Sequence, residues 1–322
     1  MSCSESAAFI AALACAGLAV PASAQFYPVK PIRFVVGFQP GGGVDISARF
    51  VGKQLTETLG QPVIVDNRPG AAGNIGANYV AKATPDGYTL LMAQSTIAMP
   101  SLFVKLPFDV NRDFDPVGLV ALGPTVLLVH PSLRVNSVKE LIALAKSKVK
   151  PLAYGSGGIG NITHLEMELL ATMAGIEMTH LPYKGSAPGM IALIGGEIQL
   201  FFSSIPSALA QIRSDKVKPL AVSTVKRSSA LPGIPTLDEA GLPGYDAATW
   251  YGVFAPAGTA KNALRLLGKE IPRSVRVPEI ISRLQNDGFE PVGSGPEEFS
   301  RFLRGEIGKW AKVIKTAGIA PE

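Results

Sequence analysis

The sequence predicts an α/β protein of two domains built on parallel sheets, and three observations carry that expectation. Short apolar runs of strand length recur, and they are continuous rather than alternating, as in strands covered on both faces. Segments with apolar residues at helical spacing separate them, with Gly- and Pro-rich turns at the junctions. The chain has 322 residues, beyond the roughly 100–200 of one ordinary domain.

The chain opens on an uncharged apolar run at residues 7–20, followed by small residues at 21–24. This predicts an export leader, residues 1–24, cut after Ala24. The run is shorter than the roughly 20 apolar residues of a membrane span. Its first six residues carry no Lys or Arg, unlike the usual leader start. Cys3 and Cys15 both fall inside it, so the mature chain would be free of cysteine, which suits an oxidising compartment. With 47% hydrophobic residues, enough apolar mass remains for real cores, which excludes a disordered chain. The net charge of +5 comes from scattered cations with few aromatics among them, which argues against a nucleic-acid partner.

Strands are predicted at residues 32–37, 62–66, 88–93, 126–129, 152–154, 178–181, 198–202 and 220–223, most of them short apolar runs. Behind the first, Ile46, Phe50, Leu55 and Leu59 recur at helical spacing. From Lys261 on the pattern is mostly helical. It includes a long helix from Pro296 through Trp310, with Phe299, Leu303 and Ile307 on one face. Such a tail must cover a sheet formed earlier, so the chain would return to its first domain after building its second.

Three glycine-rich loops sit where a strand hands over to a helix: residues 37–45, 68–76 and 155–164. Glycine lets backbone approach a ligand closely, and a helix N-terminus behind it presents unpaired N–H groups and a partial positive charge. Such corners suit a carboxylate or phosphate, although glycine there also serves tight turns. The third loop matches G-x-G-x-x-G at Gly155, Gly157 and Gly160. The ribose-binding acid of a dinucleotide site is poorly placed, since Glu177 starts its strand instead of ending it, and no cofactor is expected.

His130, His164 and His180 are the only histidines, and none has a partner at metal-ligand spacing, so no metal site is expected. No nucleophile elbow or phosphate loop is present, so no catalytic residue is assigned and the chain is not expected to be an enzyme. His164 opens a helix directly behind the third loop, where a ligand contact and a hydrogen-bonded structural role are both open. Lys184 could pair with an anion or be solvated.

The chain resembles the solute-binding receptors of tripartite tricarboxylate transporters, the Bug-type periplasmic proteins, over essentially its whole mature length. The resemblance rests on YPVKPIRF at 27–34, PGGGVD at 40–45, DNRPGAAG at 66–73, TPDGYT at 84–89 and LPYKG at 181–185. It continues in LPGIPT at 231–236, EAGLPG at 239–244, WYG at 250–252 and APAG at 255–258. It implies a two-lobed periplasmic binding protein of type II-like architecture with the ligand in the cleft between lobes. Lobe 1 would hold residues 25–124 and 248–322, and lobe 2 residues 125–247.

The resemblance further implies a small carboxylate held by Phe38, Gly42, Gly43, Val44 and Asp45 in the first loop. Ser156, Gly157, Asn161, Thr163 and His164 would hold it from the third. Ala71, Ala72, Gly73, Asn74, Ser95, Thr96, Tyr183, Lys184, Gly185, Ser203 and Trp250 complete the pocket by position. Val44 stands where the family usually has Thr, and Asn161 where it often has Ser. Gln199 and Ser203 stand where many relatives carry Asp, which could pair with a ligand ammonium. The expectation is therefore a carboxylate without an amino group, captured by a periplasmic monomer and passed to membrane permease subunits. A sensor feeding a membrane kinase, or an enzyme on the same scaffold, are the alternatives.

Overall fold

The computed structural model describes residues 27–99, 106–147, 151–183, 185–286 and 288–319. The expected leader, both cysteines and Lys184 lie outside the described residues. Strand β1 (Ile32–Val36) leads into helix α1 (Gly43–Leu59), then β2 (Val63–Asn67), α2 (Asn74–Ala81) and β3 (Thr89–Gln94). Strands β4 (Phe114–Gly123) and β5 (Thr125–Val129) follow almost without a break. After α3 (Val138–Ser147) come β6 (Leu152–Ser156), α4 (Ile162–Ala174), β7 (Met178–Pro182) and α5 (Ser186–Ile194). Then come β8 (Leu200–Ser204), α6 (Ile205–Arg213), β9 (Lys218–Val222) and β10 (Thr249–Pro256). The chain ends in α7 (Lys261–Val275), α8 (Pro278–Asn286), β11 (Glu290–Ser294) and α9 (Pro296–Ala317).

Two sheets result. The first has the order β11-β4-β10-β3-β1-β2 and the second β7-β6-β8-β5-β9. Neither is all-parallel, as the sequence had suggested. β1 pairs in parallel with β2 and β3, but β10 enters antiparallel between β3 and β4. In the second sheet β6 is parallel to β7 and β8, whereas β5 is antiparallel to β8 and β9. The antiparallel strands flank the points where the chain passes from one sheet to the other.

The continuous apolar run of β1 does mark a strand covered on both faces, whereas the edge strands β2 and β7 are not so covered, with Ile64 and Leu181 exposed. Along β1, Phe34 and Val36 join one core with Val51, Leu55, Leu267 and Ile271. Val35, pointing the other way, joins Leu91, Phe254, Phe299 and Leu303. Helix α1 buries Val44, Ala48, Val51 and Leu55 at spacings of three and four and stops at Gly60, whose φ of 67° a side chain would resist.

The tail helix α9 covers more than the first sheet. Its first half seats Phe299 and Leu303 against that sheet. Its second half delivers Trp310, Val313 and Ile314 into the core of the second, beside Leu165 and Tyr245. The two crossing segments are tied together as well: Gly123 pairs with Thr249, the Ser223 amide donates to the Thr125 carbonyl at 2.9 Å, and the Thr125 amide donates to Ser223 Oγ at 3.0 Å.

Candidate functional site

In sheets of this kind ligands bind outside the C-terminal ends of the parallel strands. All three glycine loops lie there: the first after β1, the second after β2 and the third after β6. In the first, Gly42 occupies the N-cap of α1 at φ −80°, and no side chain caps the helix. The first-turn N–H groups of a helix have no partner within it. They and the positive end of the helix dipole therefore face outward.

Gly43 is required by close approach: a Cβ there would lie 2.5 Å from the Tyr251 hydroxyl and 2.8 Å from Phe289 Cζ. Gly42 is different, since the nearest atom to a Cβ would be the Gln39 carbonyl oxygen at 3.9 Å. Val44 turns its side chain into the first core, so only its backbone remains for a ligand.

The carboxylate of Asp45 is engaged within the protein. It is 2% exposed and accepts bonds from the Gly41 amide, from Arg49 Nε and Nη2, and from Asn67 Nδ2, all at 2.9 Å. Asn67 Nδ2 also donates to the Phe38 carbonyl at 3.0 Å, which fixes the start of the same loop. Burial acts to raise the Asp45 pKa, but the bonds from Arg49, Gly41 and Asn67 and the Arg49 charge outweigh it and hold the carboxyl below its ordinary value. The pair Asp45 and Arg49 at i and i+4 is legible in the sequence. Asn67 carries no such signal.

The second loop turns through a 3-10 segment at Ala71–Gly73, with Ala71 at φ 47°. Gly73 then caps α2, again with no side-chain bond. A Cβ on Gly73 would lie 2.8 Å from the Phe38 ring. Phe38, Gly73, Asn74 and Thr96 line a cavity of about 10 Å³, barely room for one water. Ser95 is buried, and its hydroxyl has no partner among the described residues. Trp250 is not brought to these loops by its side chain: it packs among Phe254, Phe299 and Phe302, its Nε1 unpartnered among the described residues.

The third loop differs from expectation. Its glycine amides, read as an anion cradle, largely serve the loop itself. The Gly157 amide donates to Thr163 Oγ1 at 2.9 Å, Gly158 to Ser156 Oγ at 3.1 Å and Gly160 to His164 Nδ1 at 3.2 Å. Asn161 caps α4, its Oδ1 accepting from the Thr163 amide at 3.1 Å. The Asn161 Nδ2 is engaged by no described residue. His164 is buried, and its Nδ1 is occupied by the Gly160 amide.

Beside this loop the Tyr183 amide donates to the Ser156 carbonyl and the Gly185 amide to the Gly157 carbonyl, at 3.0 and 3.2 Å. Gly185, at φ 105°, opens α5 without a capping side chain. Ser203 is buried near the end of β8, its hydroxyl turned to the Ser204 carbonyl. Gln199 Oε1 accepts the Ala153 amide at 2.9 Å and so belongs to the sheet. Helices α1, α2 and α5 thus begin at glycines without a capping side chain, as α9 does at Gly295, whereas α4 is capped; the first amide of α2, that of Asn74, already donates to the Ala71 carbonyl. Among the described residues no group of three His, Cys, Asp or Glu could hold a metal ion.

The sequence model of the tripartite tricarboxylate transporter family receptor matches residues 47–319. The chain is 36% identical to Protein BugT of Bordetella pertussis over 309 residues, 95% of each chain. Among solved structures it is similar to R. palustris Rpa4515 with adipate, at 38% identity and a TM-score of 0.81, covering 92% of this chain and all of that one. MatC from Rhodopseudomonas palustris with bound malate matches at 30% identity and a TM-score of 0.76, over 89% of this chain and all of that one.

Proposed function

The chain belongs to the tripartite tricarboxylate transporter receptor family, and from that premise we propose that it captures a small carboxylate lacking an amino group and delivers it to the membrane permease subunits of such a transporter. The observation that carries this reading is the set of helix N-termini without a capping side chain at Gly42, Gly73 and Gly185, beside the third loop, whose helix α4 is capped by Asn161. Neutral donors at such ends suit an anion. The adipate and malate in the two similar structures support the ligand class.

The preference against amino groups follows from charge. A buried ammonium needs a carboxylate partner. Asp45 is held by Arg49, and Asp66 by Arg33 and Arg68. Ser203 supplies no charge where many relatives carry Asp. Residues 25–124 with 248–322 form one lobe in this reading and 125–247 the other, closing about the crossing segments at Thr125 and Ser223 to exclude water. The protein acts by capture, not chemistry, as a periplasmic monomer exported by the leader at 1–24.

Calorimetry on residues 25–322 with adipate, malate, succinate, glutamate and aspartate tests the proposal. Tighter binding of the unsubstituted acids is expected; tighter binding of the amino acids would refute the specificity, and no binding by any would refute the ligand class. A thermal-shift screen widens the search, since ligand at 100 times its Kd stabilises by about 2.7 kcal/mol.

A further inference from the structure

Behind the third loop three near-parallel rings cluster. The His164 and His180 centroids are 3.9 Å apart with the rings 9° from parallel, and the Tyr154 ring lies 4.8 Å from His180 and 6.3 Å from His164, so that it packs against both. His180 Nε2 lies 2.6 Å from Ser156 Oγ. That hydroxyl grips Gly158 twice, accepting its amide and donating to its carbonyl, each at 3.1 Å. His164 Nδ1 accepts the Gly160 amide. Gly158 and Gly160 have φ of 127° and 71°, and these side-chain bonds join the backbone bonds from Asn161 to the Gly158 carbonyl and from Gly185 to the Gly157 carbonyl in selecting those conformations from the many open to glycine.

We propose that His180, on β7 and outside the three glycine loops, is a positioning residue for ligand binding, fixing Gly158 through the Ser156 hydroxyl and Gly160 through the face of His164. This rests on the reading of residues 156–164 as a ligand-contacting loop. Of the three amides that shape the loop, only Gly157, held by Thr163, is anchored without His180. Asn161 is tied to the same point, since its amide donates to the Gly158 carbonyl at 3.1 Å while its Oδ1 is held by Thr163.

The chemistry is consistent. His164 can accept a backbone N–H at Nδ1 only while that nitrogen carries no proton, which puts its proton on Nε2, toward Glu168 Oε1 at 3.9 Å. Glu168 also takes the Tyr154 hydroxyl, which fixes the third ring of the cluster. Burial lowers the His164 pKa to about 3, with the His180 charge adding to the effect, and burial lowers that of His180 to about 4, so both rings are neutral where the loop is ordered.

The test separates hydrogen bond from stack. His180→Phe keeps the stacked ring and loses the Ser156 contact; His180→Gln keeps a polar atom at the Nε2 position. Solvent exchange of the Gly158 and Gly160 amides is read by NMR without ligand, and adipate affinity by calorimetry. In His180→Phe the Gly158 amide should exchange roughly tenfold faster and adipate should bind roughly tenfold more weakly, the factors of one lost hydrogen bond. His180→Gln should recover most of both. Should His180→Phe unfold, Ser156→Ala leaves all three rings in place and should loosen Gly158 while sparing Gly160. Unchanged Gly158 exchange in His180→Phe and in Ser156→Ala overturns the proposal, as does a loosened loop with unaltered adipate affinity. If the wild type binds no adipate, the ligand reading fails by itself, and the exchange measurements still decide the role of His180.

Discussion

Arg49 holds Asp45 through two bonds of 2.9 Å, Nε to Oδ2 and Nη2 to Oδ1, one helical turn apart on α1. The consequence is a carboxylate beside the proposed anion site whose charge is already matched. Asp45 then serves as the post to which Gly41 and Asn67 are tied.

Asp45→Ala should release the Gly41 amide, Asn67 and Arg49 together and weaken adipate binding by about tenfold or more, with Asp45→Asn intermediate because it retains one acceptor oxygen. The Asp45 pKa is below its ordinary value of 3.8, so its stabilisation is complete above pH 3.8 and is lost as pH falls through the lowered value. Titrating unfolding of wild type and Asp45→Asn between pH 6 and 2 checks this. The two curves should converge at the acid end; a constant gap would show that the carboxylate charge contributes nothing.

Glu166, fully buried on α4, has the opposite sign. Its Oε1 accepts the Thr125 hydroxyl at 2.9 Å, and its Oε2 has no partner among the described residues. Burial raises its pKa from 4.5 to about 8, against the Thr125 bond and the Lys309 charge and with the aid of Glu306. Its protonated form is favoured by folding, so its stabilisation is complete below pH 4.5 and is lost as pH rises through about 8. Glu166→Gln keeps the shape and the Thr125 acceptor but cannot ionise. Relative to wild type it should gain at least about 1 kcal/mol of stability between pH 5 and pH 8. Denaturant unfolding at the two pH values gives the answer, and equal differences at both would refute the assignment.

Eight strands were readable, antiparallel β5 and β9 among them, because most are short apolar runs with little interruption. β4, β10 and β11 were not, since Pro116 and Gly118, Gly252, and Pro291 and Gly293 interrupt them, and their antiparallel partners lie far off in the chain. The glycine corners were readable for the same reason as the strands. Which of their amides stay open was not, because that is decided by side chains folding back: Asp45 onto Gly41, Thr163 onto Gly157, His164 onto Gly160. Residue type permits each of these contacts, and only the rotamer establishes it.

Trp310 tests the reach of the tail helix. It is fully buried in the second core, and its Nε1 donates to Glu306 Oε2 at 3.1 Å. Trp310→Ala should cost about 3–5 kcal/mol, the range for large-to-small changes in a closed core. Guanidinium unfolding measures it. A loss under about 1 kcal/mol would mean that the second half of α9 packs only loosely on the second core.

Gly42 and Gly43 are neighbours with opposite tolerances. At Gly43 a Cβ would meet the Tyr251 hydroxyl at 2.5 Å, so Gly43→Ala must displace α1 or the Tyr251 ring and should lower stability by about 1–3 kcal/mol. At Gly42 a Cβ meets nothing closer than 3.9 Å, and φ of −80° suits any residue. Gly42→Asp should therefore fold, and for a specific reason it should do so at least as stably as wild type. Asp is a favoured N-cap whose carboxylate accepts first-turn N–H groups and complements the helix dipole. Those are the groups proposed for the ligand carboxylate, so the variant carries its own competing anion at the site. Adipate binding should fall below detection in Gly42→Asp, while Gly42→Ala, which adds bulk without an acceptor, retains most of it. Calorimetry paired with thermal melts separates the outcomes. Adipate affinity retained in a well-folded Gly42→Asp would show that the N-terminus of α1 does not hold the anion.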